Sequence, residues 1–415
     1  MKLFSARQGA LLLHRYVGLV IAGFLTLAGL TGSALAWNDE LEAWLAPRLF
    51  RVAAPTPGAV LLDGLQLRRI ILSRLPAADI THTPLRSMPA RSVTFRVKGR
   101  VSPVTGERAV LDFDEVMINP YTGEILGTRK WGRPSWSAES IMPFIYRLHQ
   151  SMAMGVVGTY LFGFIALLWT VDCLVGLFLT LPPPPKRVAR KPWLARWTPA
   201  WKIRQDARGY KLHFDLHRAA ALWFWVLLLL LAWSSVAFNL SEVYDPVMKK
   251  LFGAQSEEAL LSRPSLRNMV PALDWEKARA RGRVLMSALA DRHNFTIQRE
   301  DMLAYDSGLG IYRYDVRSSL DLRQRAGSTQ VYFDAGTGAQ LAVWLPTGGA
   351  PGDTIRTWIT SIHMAAIWSW PLKILISLAG IIVAMLSATG VLIWWRRYRA
   401  RRETRLLHFS SLEQE

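Results

Sequence analysis

The chain has 415 residues, a formal net charge of +19 and one cysteine, Cys173. A single cysteine excludes a disulfide framework. The sequence contains no H-E-x-x-H, G-x-S-x-G, Walker or G-x-G-x-x-G string, so nothing in it indicates a hydrolase or a nucleotide-binding enzyme. The hydrophobic fraction of 51% is ordinary, but the mean hydropathy is positive and the apolar residues are gathered into long blocks, which is not typical of a soluble protein.

Four apolar segments predict membrane-spanning helices. They cover residues 11–36, 155–181, 219–240 and 372–395. Each reaches the roughly 20 residues that cross a hydrocarbon core of about 30 Å. We therefore predict an α-helical membrane protein with a bundle of four transmembrane helices. Ala34-Leu35-Ala36 also resembles a signal-peptide cleavage site, but the apolar stretch before it is longer than usual for a signal peptide.

Basic residues close to the four segments predict the orientation of the chain. They precede the first segment, fill the short loop between the second and third, and follow the fourth, so the positive-inside rule places all three regions in the cytoplasm. Both termini are then cytoplasmic. These basic stretches are short and are expected to contact lipid headgroups, so we predict no nucleic-acid partner. The residues are Lys2, Arg7 and Arg15; Lys186, Arg187, Arg190, Lys191, Arg196, Lys202, Arg204, Arg208, Lys211 and Arg218; and Arg396, Arg397, Arg399, Arg401 and Arg402.

The predicted topology divides the chain into eight parts. They are the N-terminus and first span (1–36), a first external domain (37–150), a second span (151–181), a basic cytoplasmic loop (182–215), a third span (216–240), a second external domain (241–365), a fourth span (366–395) and a basic cytoplasmic tail (396–415). The chain therefore reads as two tandem halves, each made of a helix, an external domain and a helix, which is an internal two-fold repeat.

The two external domains show the same order of predicted elements. Each has a helix, an extended run and then a strand-turn-strand pattern with Thr-Gly at the turn, which indicates an α+β domain. The elements are predicted at residues 59–75, 92–97 and 116–126 in the first domain, and at 274–291, 311–316 and 330–341 in the second.

Four histidines lie beside the apolar segments, in Leu13-His14-Arg15, Leu148-His149-Gln150, Leu216-His217-Arg218 and Ile362-His363-Met364. The chain crosses the bilayer after each of them, so His14 and His217 should share one side and His149 and His363 the other, on the order of 30 Å away along the helix axis. Two facing imidazoles saturate a haem iron, and helix bundles supply such pairs. Without a C-x-x-C-H string, two haem b groups would be bound non-covalently. The alternative is that each histidine caps a helix or lies among lipid headgroups.

Further polar residues near these histidines leave alternatives open. His213 lies one helical turn before His217, on the same helical face, and could replace it as a ligand or bond a haem propionate. Arg15 and Arg218 adjoin the cytoplasmic-side histidines and could pair with propionates, or serve only as orientation signals. Asp172 lies inside the second span, where a carboxylate is costly unless it is paired. It could meet a haem propionate network or an arginine, or only reach the cytoplasmic interface.

The hairpin strings Asn119-Pro120-Tyr121-Thr122-Gly123-Glu124 and Asp334-Ala335-Gly336-Thr337-Gly338-Ala339, together with the Leu-His-Arg helices, carry a resemblance to a known family. The external domains look like PepSY domains. The whole chain resembles the PepSY-associated transmembrane helix family, the iron-regulated inner-membrane proteins that include di-haem ferric-siderophore reductases. The resemblance implies two periplasmic PepSY-like domains on the four-helix bundle, with His14, His217, His149 and His363 as axial haem ligands.

The function implied by this resemblance is that of a bacterial inner-membrane oxidoreductase. It would pass electrons from a cytoplasmic protein or a membrane quinol to a periplasmic ferric siderophore. One alternative is a non-enzymatic PepSY envelope protein that binds a peptidase or transporter. Another is a di-haem reductase of copper, quinone or a periplasmic protein. The sequence does not choose among these acceptors.

Overall fold

The computed structural model describes residues 2–102, 104–184, 191–255 and 271–412, with side chains from residue 6 to residue 403. Lys186, Arg187 and Arg190 of the predicted cytoplasmic loop lie outside these ranges. The helices are α1 (Lys2–Leu35), α2 (Asn38–Leu45), α3 (Pro47–Phe50), α4 (Gly64–Arg74), α5 (Ala138–Ser151), α6 (Gly155–Thr180), α7 (Trp193–Trp197), α8 (Tyr210–Trp223), α9 (Trp225–Asn239), α10 (Ser241–Phe252), α11 (Trp275–His293), α12 (Pro351–His363) and α13 (Ser369–Leu412). The strands are β1 (Ala78–Asp79), β2 (His82–Pro84), β3 (Val93–Arg96), β4 (Lys98–Gly99), β5 (Glu115–Ile118), β6 (Ile125–Arg129), β7 (Ile297–Asp306), β8 (Ile311–Ser318), β9 (Thr329–Asp334) and β10 (Gln340–Trp344).

Three helices in the described part of the chain are long and apolar enough to cross a membrane by themselves. Their spanning portions are Ala6–Leu35, Gly155–Thr180 and Ser369–Glu403. They coincide with the predicted first, second and fourth segments, and the protein is a membrane protein. The helix α13 also runs on through most of the region predicted as a separate basic tail.

The third predicted span is not one continuous helix. The helices α8 and α9 meet at Phe224 with a bend of 72°, and α9 alone has 15 residues, which is about 22 Å of helix. The Trp223 indole donates to the carbonyl of Trp201, whereas the Trp225 indole donates to the carbonyl of Cys173 in α6. These bonds hold the two sides of the break to different parts of the fold. Since no Pro or Gly stands at the break, no local sequence signal marks it.

The external segments form one joined α+β region. A sheet in the order β3-β5-β6 belongs to the first segment, and a sheet in the order β10-β9-β8-β7-β2 belongs mainly to the second. Strand β2 comes from the first segment, yet it pairs antiparallel with β7. Leu65 and Leu85 of the first segment also pack into the core of the second, and Arg279 Nη1 lies 2.7 Å from Asp63 Oδ2. The prediction of two external domains did not include this shared sheet.

The predicted hairpins are confirmed in both segments. Strands β5 and β6 pair antiparallel, and so do β9 and β10. At the turns, Asn119 Oδ1 accepts from the amide of Tyr121, and Asp334 Oδ1 accepts from the amides of Gly336 and Thr337. Gly123 and Gly338 have φ of 71° and 72°, a left-handed conformation that favours glycine. The glycine of each Thr-Gly string therefore stands where the turn needs a positive φ.

Close packing of α1 on α13 brings the two halves of the chain together in the membrane region. Gly29 and Gly380 meet there, and a Cβ added to either would overlap the carbonyl of the other. Small residues allow such close approach between membrane helices. Near the external end of the same contact, Ser33 donates to the carbonyl of Ser377 at 2.8 Å.

Candidate functional site: two histidine pairs

The four membrane histidines meet as two pairs. In the first pair, His14 of α1 faces His217 of α8, with ring centroids 6.1 Å apart and ring planes at 66°. In the second pair, His149 of α5 faces His363 of α12, with centroids 6.2 Å apart and planes at 68°. The structure therefore brings together the residues that were predicted to share a side of the membrane.

In the first pair, both Nδ1 atoms are hydrogen-bonded to oxygen atoms. His14 Nδ1 lies 2.8 Å from Asp172 Oδ1. His217 Nδ1 lies 3.0 Å from the Leu386 carbonyl and 3.1 Å from Thr389 Oγ1. A carbonyl oxygen can only accept, so the proton of His217 belongs on Nδ1, and its Nε2 lone pair is left free for a metal.

The second pair has the same arrangement. His149 Nδ1 lies 3.1 Å from both the Ala28 carbonyl and Thr31 Oγ1. His363 Nδ1 lies 2.7 Å from Ser234 Oγ, and this hydroxyl donates its own proton to the Leu231 carbonyl. Ser234 therefore accepts from His363, and both rings again offer Nε2 as the free nitrogen.

The separation within each pair fits one metal ion between two rings. With a metal-to-nitrogen distance of about 2 Å on each side, the centres of two facing imidazoles lie roughly 6 Å apart. The described residues contain no group of three or more His, Cys, Asp and Glu that could hold a metal ion. Each pair thus supplies two protein ligands, which is too few for the usual tetrahedral zinc site.

The histidines of the second pair do not belong to spanning helices. His149 and His363 lie near the C-terminal ends of α5 and α12, short helices that precede the spans α6 and α13. Residues with positive φ separate each short helix from its span, namely Met152 and Ala153 in one half and Ala365, Trp368 and Ser369 in the other. These breaks turn the chain, so that a histidine outside the span packs back against α1 or α9.

The stretch of α1 that separates the contacts of the two pairs is somewhat shorter than the roughly 30 Å expected along the helix axis. The partners of His149 on α1 are Ala28 and Thr31, and His14 lies further towards the start of the same helix. At a rise of about 1.5 Å per residue, the stretch of α1 from His14 to these two partners is about 21 to 26 Å long. The expectation of roughly 30 Å assumed that His149 lies level with the end of α1 near Trp37, whereas it packs against the preceding turns.

Sequence spacing around the histidines is the same in both halves of the chain. Thr31 follows His14 at the same interval at which Ser234 follows His217. Gly176 likewise follows His149 at the interval at which Gly390 follows His363. Each of these residues contacts a histidine: Thr31 contacts His149, Ser234 contacts His363, Gly176 lies beside His14 and Gly390 beside His217.

Glycine lies against three of the four rings. A Cβ added to Gly176 would lie 3.5 Å from His14 Cε1, one added to Gly390 would lie 3.3 Å from His217 Cε1, and one added to Gly32 would lie 2.9 Å from His149 Cε1. Gly176 and Gly390 follow His149 and His363 at equal intervals, so the spacing of the two halves is the sequence signal that could have pointed to them.

Of the other predicted polar residues, His213, Arg15 and Arg218 make no hydrogen bond with the four rings in the described part of the chain. The ring beside His14 belongs to His217, not to His213. Arg218 lies 3.2 Å from Asp215 and donates to main-chain carbonyls of residues 199, 200 and 202, so its guanidinium ties α8 to the segment before it. Arg15 makes no hydrogen bond or ion pair with the side chains that the structure describes.

Guanidinium groups gather at the external side of the second pair. Arg323 donates to Thr360 and Ser361, and Thr360 is one helical turn before His363 in α12. Arg86, Arg299 and Arg317 converge on the carbonyls of residues 324 and 325 in the same loop. Burial lowers the pKa of Arg299, and the nearby Arg86 and Arg317 lower it further. We call Arg86, Arg299, Arg317 and Arg323 the external basic cluster, and the carboxylates Asp301 and Asp321 lie near its Arg299.

The chain belongs to a known family. The family model described as the PepSY-associated TM region matches residues 11–397, a range that includes all four membrane histidines and both external segments. A search of curated proteins found no match to the chain. The family membership supports a membrane protein with PepSY-associated helices.

Substitution of Gly32 should disturb the second pair selectively. In Gly32→Leu, the new side chain would occupy the space of the His149 ring, because a Cβ alone comes within 2.9 Å of it. We expect loss of the group bound at the second pair and retention of the group at the first, measured as cofactor content per chain. Gly23→Leu is the matched control, since a Cβ there meets nothing within 4 Å. Equal cofactor content in the two variants would contradict the assigned role of Gly32.

Proposed function

We propose that the protein is a transmembrane di-haem b oxidoreductase of the bacterial inner membrane that reduces ferric siderophores in the periplasm. The observation that carries the proposal is the pairing of four histidines, with ring centroids 6.1 and 6.2 Å apart and all four Nδ1 atoms engaged. Each pair would hold one haem through its two Nε2 atoms.

The donor set supports haem over a simple metal ion. Each site has two imidazoles and no further ligand group among the described residues, and glycine lies beside three of the rings, where a flat macrocycle needs space. When bound, the group supplies a one-electron carrier at each pair. His14 with His217, and His149 with His363, would hold the iron from two imidazoles each, and such ligation would favour electron transfer over oxygen chemistry.

The residues around each pair fix the ligands. Thr31 and the Ala28 carbonyl orient His149, and Ser234 orients His363. Thr389 and the Leu386 carbonyl orient His217. Such partners set the tautomer, hold the ring plane and raise the basicity of the coordinating nitrogen.

The external basic cluster supports an anionic substrate. Its guanidinium groups lie in or against the loop that reaches α12, the helix of His363. Its four guanidinium groups outnumber the neighbouring carboxylates Asp301 and Asp321. An excess of positive charge raises the local concentration of anionic ligands, and ferric catecholate siderophores are anionic. In the proposed reaction, each ferric ion takes up one electron and becomes ferrous. The electron comes from a cytoplasmic protein or a membrane quinol.

The proposed topology has four membrane crossings and both termini in the cytoplasm. It treats α8 and α9 as one bent crossing and rests on the basic residues that flank the spans at one side. The first pair is then nearer the cytoplasm, and the second pair lies beneath the periplasmic domains.

Anaerobic reoxidation tests the proposed activity. Protein reduced with dithionite, then freed of excess reductant, is mixed with a hydroxamate or a catecholate ferric siderophore in the presence of a chromogenic ferrous chelator. We expect reoxidation of the protein together with capture of ferrous iron in equal electron equivalents. Reoxidation no faster than in buffer with both chelate classes would contradict siderophore reduction and leave the haem sites unaffected.

A further inference from the structure

The four histidines differ in the charge of their partners. Asp172 places a carboxylate oxygen 2.8 Å from His14 Nδ1. The partners of His149, His217 and His363 are main-chain carbonyls and hydroxyls. Only the first pair therefore has a carboxylate against a ring nitrogen among the described residues.

The second half of the chain shows that this carboxylate is not needed to orient the ring. Leu386 follows His363 at the same interval at which Asp172 follows His149. Leu386 accepts from His217 through its main-chain carbonyl, with Thr389 as a second partner. A neutral acceptor thus holds the ring of His217, which is the equivalent of His14. Asp172 accepts from His14 in the same way but brings a carboxylate charge.

Asp172 has no other ionic partner in the part of the chain that the structure describes. Its side chain is 11% exposed and lies in the span α6. Arg7 lies at the C-terminal end of α6, but it donates to the carbonyls of Leu179 and Leu181 and not to Asp172. Ionisable groups inside spans are costly, are usually paired and are usually functional. The contacts identify His14 as the partner of Asp172.

We propose that Asp172 is a positioning residue that makes the two haem sites unequal, giving the site at the first pair the lower midpoint potential. This inference rests on the proposed function. A carboxylate bonded to the distal ring nitrogen raises the basicity of the coordinating nitrogen, and hydrogen bonding around the ligands sets the potential. A negative charge in a medium of low dielectric also favours the more positive ferric state. The resulting gradient runs from the first pair towards the second, in the outward direction.

Redox titration of the purified full chain tests the inference. Haem content and the midpoint potentials of both sites are measured by visible spectroscopy in wild type, Asp172→Asn, Asp172→Glu and Thr170→Val. Asp172→Asn keeps an oxygen acceptor for His14 but removes the charge, so the lower midpoint should shift upward while the other stays. Asp172→Glu should keep the wild-type order. Thr170→Val is the matched control, because Thr170 lies on the same span and its hydroxyl donates to the Ala166 carbonyl of its own helix, so the midpoints of this variant should stay close to those of wild type.

Assignment of the lower midpoint uses a chain that lacks the second site. His149→Ala should retain the lower of the two midpoints, a result that does not depend on how the Asp172 variants fold. Retention of the higher midpoint, or an Asp172→Asn protein with unchanged potentials, would overturn the role of Asp172 while the di-haem proposal stands. A wild-type protein without haem would overturn the proposed function, and this inference with it.

Discussion

Replacement of either histidine of one pair by alanine should remove one haem and leave the other. His14→Ala and His217→Ala are expected to lose the same haem, because their rings face each other at 6.1 Å. His149→Ala and His363→Ala should lose the second one, since those rings face each other at 6.2 Å. A pyridine haemochrome assay of protein purified in detergent measures this as a fall from two haems per chain to one.

His213→Ala is the matched control for this series. His213 is one helical turn from His217, but the ring beside His14 is that of His217. The control should retain two haems. Loss of the same haem in His14→Ala and His149→Ala would contradict the pairing. Loss of one haem in His213→Ala, with both retained in His217→Ala, would show that His213 is the ligand in place of His217.

Loss of the second pair should abolish reduction of external ferric chelates. His363→Ala is expected to reduce ferric siderophore no faster than buffer without protein does. The first pair, which would hold the remaining haem, lies about 21 to 26 Å further along α1 than the contacts of the second pair. The haem at the first pair should still be reduced by dithionite or a quinol. Stopped-flow spectroscopy of the anaerobic protein measures both steps in one experiment.

Arg218→Gln is the control for the reduction experiment. Arg218 donates to the main-chain carbonyls of residues 199, 200 and 202, away from the second pair, so its substitution should not alter the reduction of ferric siderophore. A His363→Ala protein that reoxidises with ferric siderophore as fast as wild type would contradict an exit through the second pair.

The spans and the hairpins were predictable because local patterns determine them. Long apolar runs identified α1, α6 and α13, and the Thr-Gly strings identified the turns at Gly123 and Gly338, where the backbone requires positive φ. The expectation that each pair shares one side of the membrane followed from topology alone, since the chain alternates sides at each crossing.

Contacts between distant parts of the chain were not predictable in the same way. The bend at Phe224 depends on bonds from Trp223 and Trp225 to other elements, and no residue at the break is unusual for a helix. Strand β2 is only three residues long and is defined by its pairing with β7. A strand that short has no periodicity that a single sequence could display.

The role of Asp172 was hidden for a related reason. A carboxylate in a span indicates an unknown partner, and three candidates were open: a propionate network, an arginine or the interface. The structure identifies His14 at 2.8 Å, which was not among them. The interval from His149 to Asp172 equals that from His363 to Leu386. This equality could have pointed to the contact, because the carbonyl of Leu386 bonds the other histidine of the first pair.

The visible absorption spectrum of the protein purified in detergent, recorded before and after dithionite, tests the central claim most directly. Four histidines in two facing pairs, in a chain whose single cysteine allows no covalent attachment of the c type, predict two low-spin haem b groups per chain, with a sharp α band on reduction. A preparation that carries no haem after expression with ample haem supply would contradict the account and leave the histidines as structural residues of a membrane protein.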